Sequence, residues 1–213
     1  MAGRVDEVHV LGVLHKTPTA ITRVSGAITR YDPDVVAIEA TADAIGQYHP
    51  DQRDAAWPPR DELEAAAYAT AHDYDLCLAG IGAGGYDTDI DFERLDTEIF
   101  TDLGILDPNE ELTLAAYYEL DLPTIREWRR ETRDRAPEAY EAVIGSRDVE
   151  MAGYLQALAD HNDIDTVVAA VGVQHLTGVL GLLHNGQIPP AKVTSPPIAH
   201  YRLFSRDSPH SRA

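Results

Sequence analysis

Two uncharged apolar runs, residues 8–11 and 166–171, lead straight into the same short signature. The first reads Gly12-Val13-Leu14-His15-Lys16-Thr17-Pro18, the second Gly172-Val173-Gln174-His175-Leu176-Thr177-Gly178, with Gly, Val, His and Thr in the same order and spacing. A short apolar run without alternation fits a strand covered on both faces, as the strands of a parallel sheet are. A strand ending in Gly can turn sharply or admit another backbone, because Gly lacks a Cβ. The His three residues on then stands in a loop at the C-terminal edge of its strand, where open α/β sheets bind ligands. One Gly-x-x-His is a common accident of a turn. Two with matched flanks aim two imidazoles at one spot on a parallel sheet.

The rest of the chain supports that architecture. Thr17 and Pro18 give an N-cap and a first helical residue, and Ala20, Ile21, Val24, Ala27 and Ile28 follow at helical spacing. Asp32-Pro33-Asp34 ends that helix, and residues 35–38 make a second strand closed by Glu39. Strand, helix, strand is the unit of a parallel sheet, and it sets Glu39 at the same edge as His15. A carboxylate there can also serve the start of the next helix, near Thr41 or Asp43. Residues 49–60, with Pro50, Trp57, Pro58 and Pro59, read as a loop crossing the sheet edge, a wall or lid for a site.

An Ala-rich helix over 61–74 leads to a third strand over 76–81, which holds Cys77 as a small buried residue. Residues 80–85 spell Gly-x-Gly-x-x-Gly, but an acidic stretch follows and no acid-ended strand lies about 20 residues on. The run reads as a flexible turn, not a dinucleotide site. Residues 91–140 are helical and charged, with a helix start at Asp107-Pro108 and a break at Leu122-Pro123. The arginines of 126–135 read mostly as surface i,i+4 pairs. Ser146 reads as the N-cap of a helix with Met151, Tyr154, Leu155 and Leu158 on its core stripe. A fourth strand (166–171), the second His loop and a helix (176–183) follow, with edge strands at 191–194 and 198–204 and a disordered tail over 205–213. The expectation is one α/β domain over 1–204: a mostly parallel central sheet flanked by helices, with paired Gly-x-x-His loops at its C-terminal edge.

Charge narrows the function. Acids outnumber bases 36 to 17 across 213 residues, a formal charge of −19, and Lys16 and Lys192 are the sole lysines. Such a field argues against a nucleic-acid partner and fits a salt-adapted surface. The lone Cys77 excludes an internal disulfide and a Cys-based zinc site. Residues 166–183 carry no charge, but Gly172, Gln174, His175 and Gly178 interrupt them, so they read as strand, loop and helix and not as a membrane span. Arg4, Asp6 and Glu7 near the start are unlike a secretory signal, and the expectation is a soluble cytoplasmic protein.

The chain resembles the TraB/Tiki superfamily, which includes GumN-type proteins and is related to ChaN and erythromycin-esterase-like folds. The resemblance rests on Gly12-x-x-His15, on Val35-Val36-Ala37-Ile38-Glu39, on Arg147-Asp148 with Met151-Ala152, and on Val171-Gly172-x-x-His175-Leu176 with Gly178. It departs from the family pattern at Ser146, where a Glu usually precedes the Arg, and in lacking the C-terminal membrane portion of many TraB members. The resemblance implies an α/β sheet with a site built from both Gly-x-x-His loops. It associates that site with divalent-metal-dependent peptide hydrolysis in Tiki-type members, with shutting down peptide signals in TraB members, and with haem binding in ChaN relatives.

The expected function is a divalent-metal-dependent hydrolase acting on a peptide or small molecule. His15 and His175 are the expected ligands, with Glu39 a third ligand or general base. Nitrogen and oxygen donors without thiolate suit Mn, Co or Zn. Arg147 is placed to hold a substrate carboxylate or a developing oxyanion. Asp148 and Glu150 are further candidates, and Gly12 and Gly172 shape the loops. The competing expectation is a binding module that sequesters a signal peptide, a metal or haem without turnover. Oligomeric state is open.

Overall fold

The computed structural model describes residues 7–46, 48, 58–73, 75–82, 89–161, 163–185 and 193–194. Strand β1 (Glu7–Val13) is followed by helix α1 (Pro18–Tyr31) and strand β2 (Val35–Ile38). A short α2 (Ala42–Gly46) and α3 (Glu62–His72) lead to β3 (Cys77–Gly80). Helices α4 (Phe92–Asp102), α5 (Leu114–Tyr118), α6 (Leu122–Arg135) and α7 (Pro137–Tyr140) follow. A π-helical turn (Glu141–Gly145) runs directly into α8 (Ser146–Ala159). The order closes with β4 (Thr166–Gly172), α9 (Leu176–Asn185) and a two-residue β5 (Val193–Thr194).

The sheet is all parallel, in the order β3-β2-β4-β1-β5. The two strands that carry the repeated signature are neighbours in its middle, with Gly12 opposite Val171 and Val13 opposite Gly172. β2 lies on the other side of β4, with Ile38 opposite Ala170, so Glu39 emerges beside the end of β4. Alternate strand residues face two separate cores. Val8, Val10, Val35, Ala37, Val167 and Ala169 pack with Phe100, Trp128, Met151, Leu155 and Val179 from α4, α6, α8 and α9. Leu11, Val13, Val36, Ile38 and Val168 pack with Ala20, Val24, Ala27 and Ala66 from α1 and α3. Burial on both faces is why these strands are continuously apolar.

Thr17 caps α1, its Oγ1 accepting from Ala20 N at 3.1 Å, and Pro18 opens the helix, as the sequence predicts. Asp121 caps α6 in the same way, so the break before Pro123 is real. Three local expectations need correction. Ser146 is not an N-cap: Gly145 and Ser146 both have helical φ/ψ, and the chain enters α8 through the π turn without leaving helical geometry. Asp107-Pro108 heads a turn and not a helix; Glu110 N donates to Asp107 O at 2.9 Å, and the helix waits for Leu114. Cys77 is exposed, because it opens the edge strand β3. Gly82, in the glycine run, packs on the turn after β2, where an added Cβ would lie 2.8 Å from Ala40 N and 2.9 Å from the Glu39 carbonyl carbon. Residues 83–88, most of the 49–60 loop, the 198–204 strand and the 205–213 tail lie outside the described residues. No helix among the described residues is long and apolar enough to cross a membrane.

Candidate functional site

Three strand ends meet at the C-terminal edge of the sheet, and Glu39 is at their centre. Its carboxylate reaches across the end of β4, where Gly172 N donates to Oε2 at 2.6 Å. His15 Nε2 lies 3.3 Å from Oε2 and His175 Nε2 lies 3.5 Å from Oε1. The Arg147 guanidinium, from the first turn of α8, pairs with Oε1. Gly172 forms the floor on which these groups meet. A Cβ added there would stand 3.1 Å from His15 Nε2, 3.3 Å from His175 Cδ2 and 3.4 Å from Glu39 Oε2. Gly12 does different work: its added Cβ would meet Leu176 Cδ2 at 3.0 Å, so it lets the start of α9 pack on β1.

Each imidazole is steered from behind by a second carboxylate. His15 Nδ1 hydrogen-bonds Glu62 Oε1 at 2.5 Å, and the other oxygen of Glu62 accepts from Lys16 N at 3.0 Å. That bond is made with Lys16 in the left-handed region, at φ 60, uncommon for a residue with a side chain. His175 Nδ1 hydrogen-bonds Asp148 Oδ1 at 2.7 Å, while Arg129 Nη2 donates to Asp148 Oδ2 at 2.6 Å and to the Tyr140 hydroxyl at 2.7 Å. A carboxylate on Nδ1 fixes the tautomer and ring direction, the arrangement that supports imidazole ligation through Nε2.

The electrostatics follow from burial and partners. Burial pulls the His15 pKa down, but hydrogen bonds to Glu39 and Glu62 outweigh it and carry it to about 9. Burial pushes Glu39 up, yet the His15 hydrogen bond, the His175 and His15 charges and the Gly172 N–H bring it down to about 2. Glu62 is likewise held below the usual carboxylate range, burial being outweighed by its bonds to His15 and Lys16 N. The His15 side chain is 38% exposed while that of Glu39 is 3% exposed, so a ligand meets His15 first. A cleft of about 640 Å³ opens over the cluster, lined by His15, Glu39, Arg147, Gly172 and His175 and, farther on, by Asp96, Tyr117 and Trp128.

The family model described as the TraB/PrgY/gumN family matches residues 88–194. The chain belongs to the TraB/PrgY/gumN family. No curated protein and no solved structure matches it. In this TraB-family chain the matched segment holds Arg147, Asp148, Gly172 and His175, whereas His15, Glu39 and Glu62 precede it.

Of the residues singled out from sequence, His15, Glu39, Arg147, Gly172 and His175 come together. Asp148 stands behind His175, Gly12 is one step inside β1, and Glu150 lies on the exposed face of α8. Two positioning residues escaped the sequence reading. Arg129 is a buried member of a group read as surface pairs, although Arg130–Glu127 and Arg135–Glu131 are such pairs. Its signal was available: Ile125, Trp128, Arg129 and Thr132 form one buried stripe at helical spacing. Glu62, buried in the first turn of α3, left no comparable pattern. The donor set is two imidazole Nε2 atoms and a carboxylate, chemistry that suits divalent ions of nitrogen and oxygen preference. With the side chains as they stand, no group of three His, Cys, Asp or Glu among the described residues is arranged to hold an ion.

Proposed function

We propose that this protein is a divalent-metal-dependent hydrolase of peptides. The observation that carries the reading is the convergence of His15 Nε2 and His175 Nε2 on the Glu39 carboxylate, each ring steered by a further buried carboxylate. His15, His175 and Glu39 would hold the ion, with Mn, Co or Zn suited to such donors. When bound it supplies a Lewis acid and a water acidic enough to act near neutral pH.

The remaining groups orient and exclude. Glu62 and Asp148 hold the two rings in register, and Arg129 holds Asp148 in place through a hydrogen bond to its other oxygen. Arg147 spends one nitrogen on Glu39 and leaves its buried Nε–H without a hydrogen-bond partner among the described residues. A buried unpaired donor at the wall of a cleft is costly, and a substrate carbonyl oxygen or carboxylate would satisfy it. Val13, Leu14 and Val173 line the cleft beside the cluster and limit the water that reaches it.

A second reading, capture of a peptide without turnover, has its own support. Glu39 is engaged by His15, His175, Arg147 and Gly172 N and held to about 2, so it is a weak base. The test loads purified protein with Mn, Co or Zn and assays a fluorogenic peptide library at molar KCl. Under the hydrolase reading His15→Ala and His175→Ala abolish ion binding, and Glu39→Gln lowers ion affinity and cuts turnover by about 10²-fold or more. A wild type that binds the ion stoichiometrically, cleaves nothing, and retains peptide sinks the hydrolase and leaves the capture reading.

A further inference from the structure

The cleft continues past the cluster, and its far wall holds a carboxylate that the proposed chemistry does not use. Asp96 sits on α4 and is 7% exposed, yet lines the cleft. Its oxygens accept from Trp128 Nε1 at 2.7 Å and from the Tyr117 hydroxyl at 3.1 Å, both neutral donors. No cation pairs with it among the described residues. Leu112 and Leu114 add apolar wall, and Glu93, one turn earlier on the same helix, lines the same cleft while remaining exposed. A buried carboxylate is costly unless a cation compensates it. The two aromatic residues that hold it, Tyr117 and Trp128, line the same cleft.

We infer that this end of the cleft is a subsite for a positively charged group of the substrate, an ammonium or guanidinium, which pairs with Asp96 against Tyr117 and Trp128 while Glu93 attracts it at the mouth. In peptides that means a Lys or Arg side chain or a free amino terminus. Burial, only partly offset by the Trp128 and Tyr117 hydrogen bonds, raises the Asp96 pKa to about 6, the state expected of a carboxylate awaiting its counter-charge. The inference deepens the peptide reading of the cleft and rests on it.

The experiment reads binding, not cleavage. Trp128 touches the subsite, so its fluorescence reports occupancy once Trp57, the other tryptophan in the sequence, is replaced by Phe. Acetylated, amidated pentapeptides of Ala carrying one Lys at each position in turn are titrated against their norleucine counterparts. A free-amine pentaalanine amide is titrated against its acetylated form. At least one charged member is expected to bind about tenfold or more tighter than its neutral partner, as a partly buried charge pair would give. A Lys preference assigns the side chain, an amine preference the amino terminus. In Asp96→Asn, which keeps an acceptor for Trp128, that preference is expected to fall to about threefold or less, and in Glu93→Gln to weaken and lose salt dependence. Equal binding of charged and neutral peptides by the wild type overturns the inference, as does a preference unchanged in folded Asp96→Asn. A charge preference without any cleavage fails the hydrolase alone.

Discussion

Gly172 and Gly12 occupy the same place in the two copies of the signature, and their substitution by Ala separates site from scaffold. At Gly172 the new methyl presses on His15 Nε2 and His175 Cδ2, in rings already held by Glu62 and Asp148. Gly172→Ala is expected to keep a cooperative melt while ion affinity and turnover fall about tenfold or more. At Gly12 the methyl meets the end of a flexible leucine, so Gly12→Ala is expected to cost about 1–3 kcal/mol of stability and leave the ligands in place. Melting curves paired with ion titration decide this, and the reverse pattern would sink the division of labour. Asp96 gives a pH test. Its folded pKa, about 6, lies above the ordinary aspartate value of 3.8, so its contribution to stability is full below about 3.8 and is lost as pH rises through 6. The loss is on the order of 3 kcal/mol. Asp96→Asn should therefore gain on the wild type in denaturant unfolding between about pH 4 and pH 6.5; a constant difference would contradict the sign.

At the scale of elements, the π turn decides how α8 addresses the site. A π turn takes an i→i+5 bond in place of i→i+4, so the residues after it are rotated about the axis relative to an unbroken α-helix. Ser146 N donates to Glu141 O across it, and the Ser146 hydroxyl meets Glu141 Oε1 at 3.3 Å. Immediately after it come Arg147, paired with Glu39, and Asp148, bonded to His175. Deleting Val143 should let the segment close into regular α-helix and turn both side chains away. Far-ultraviolet circular dichroism is expected to keep its helical signal while turnover falls about 10²-fold, the usual cost of misplacing reacting groups. Retained activity would mean that the turn is incidental to the site.

Over the whole molecule the excess of acids makes the surface repel itself. A formal charge of −19 is spread over a surface whose positive groups are mainly arginines, several tied into exposed pairs on α6. At 1 M salt the Debye length is about 3 Å, so repulsion between exposed carboxylates is screened while buried pairs are hardly touched. The melting temperature is expected to climb from low to molar KCl. A flat response would count against salt adaptation.

Whatever depends on local periodicity and on residues with special backbones is legible in the chain before it folds. The apolar runs specify a parallel α/β sheet, Thr17-Pro18 and Leu122-Pro123 mark helix starts, and the repeated Gly-x-x-His specifies two strand-end imidazoles. The strand-final position of Glu39 followed from the same logic. Tertiary structure alone decided which side chain faces which. The adjacency of β1 and β4, the reach of Glu39 over Gly172, and the pairing of His15 with Glu62 and of His175 with Asp148 join residues from 27 to 159 positions apart. Helical spacing marks Arg129 and Asp96 as inward-facing, but inward-facing polar groups are satisfied by whichever element packs opposite. The entry into α8 was misread for a related reason: a serine before a charged helical stretch has the same local pattern whether it caps the helix or continues one through a π turn. Packing against the sheet chose between them.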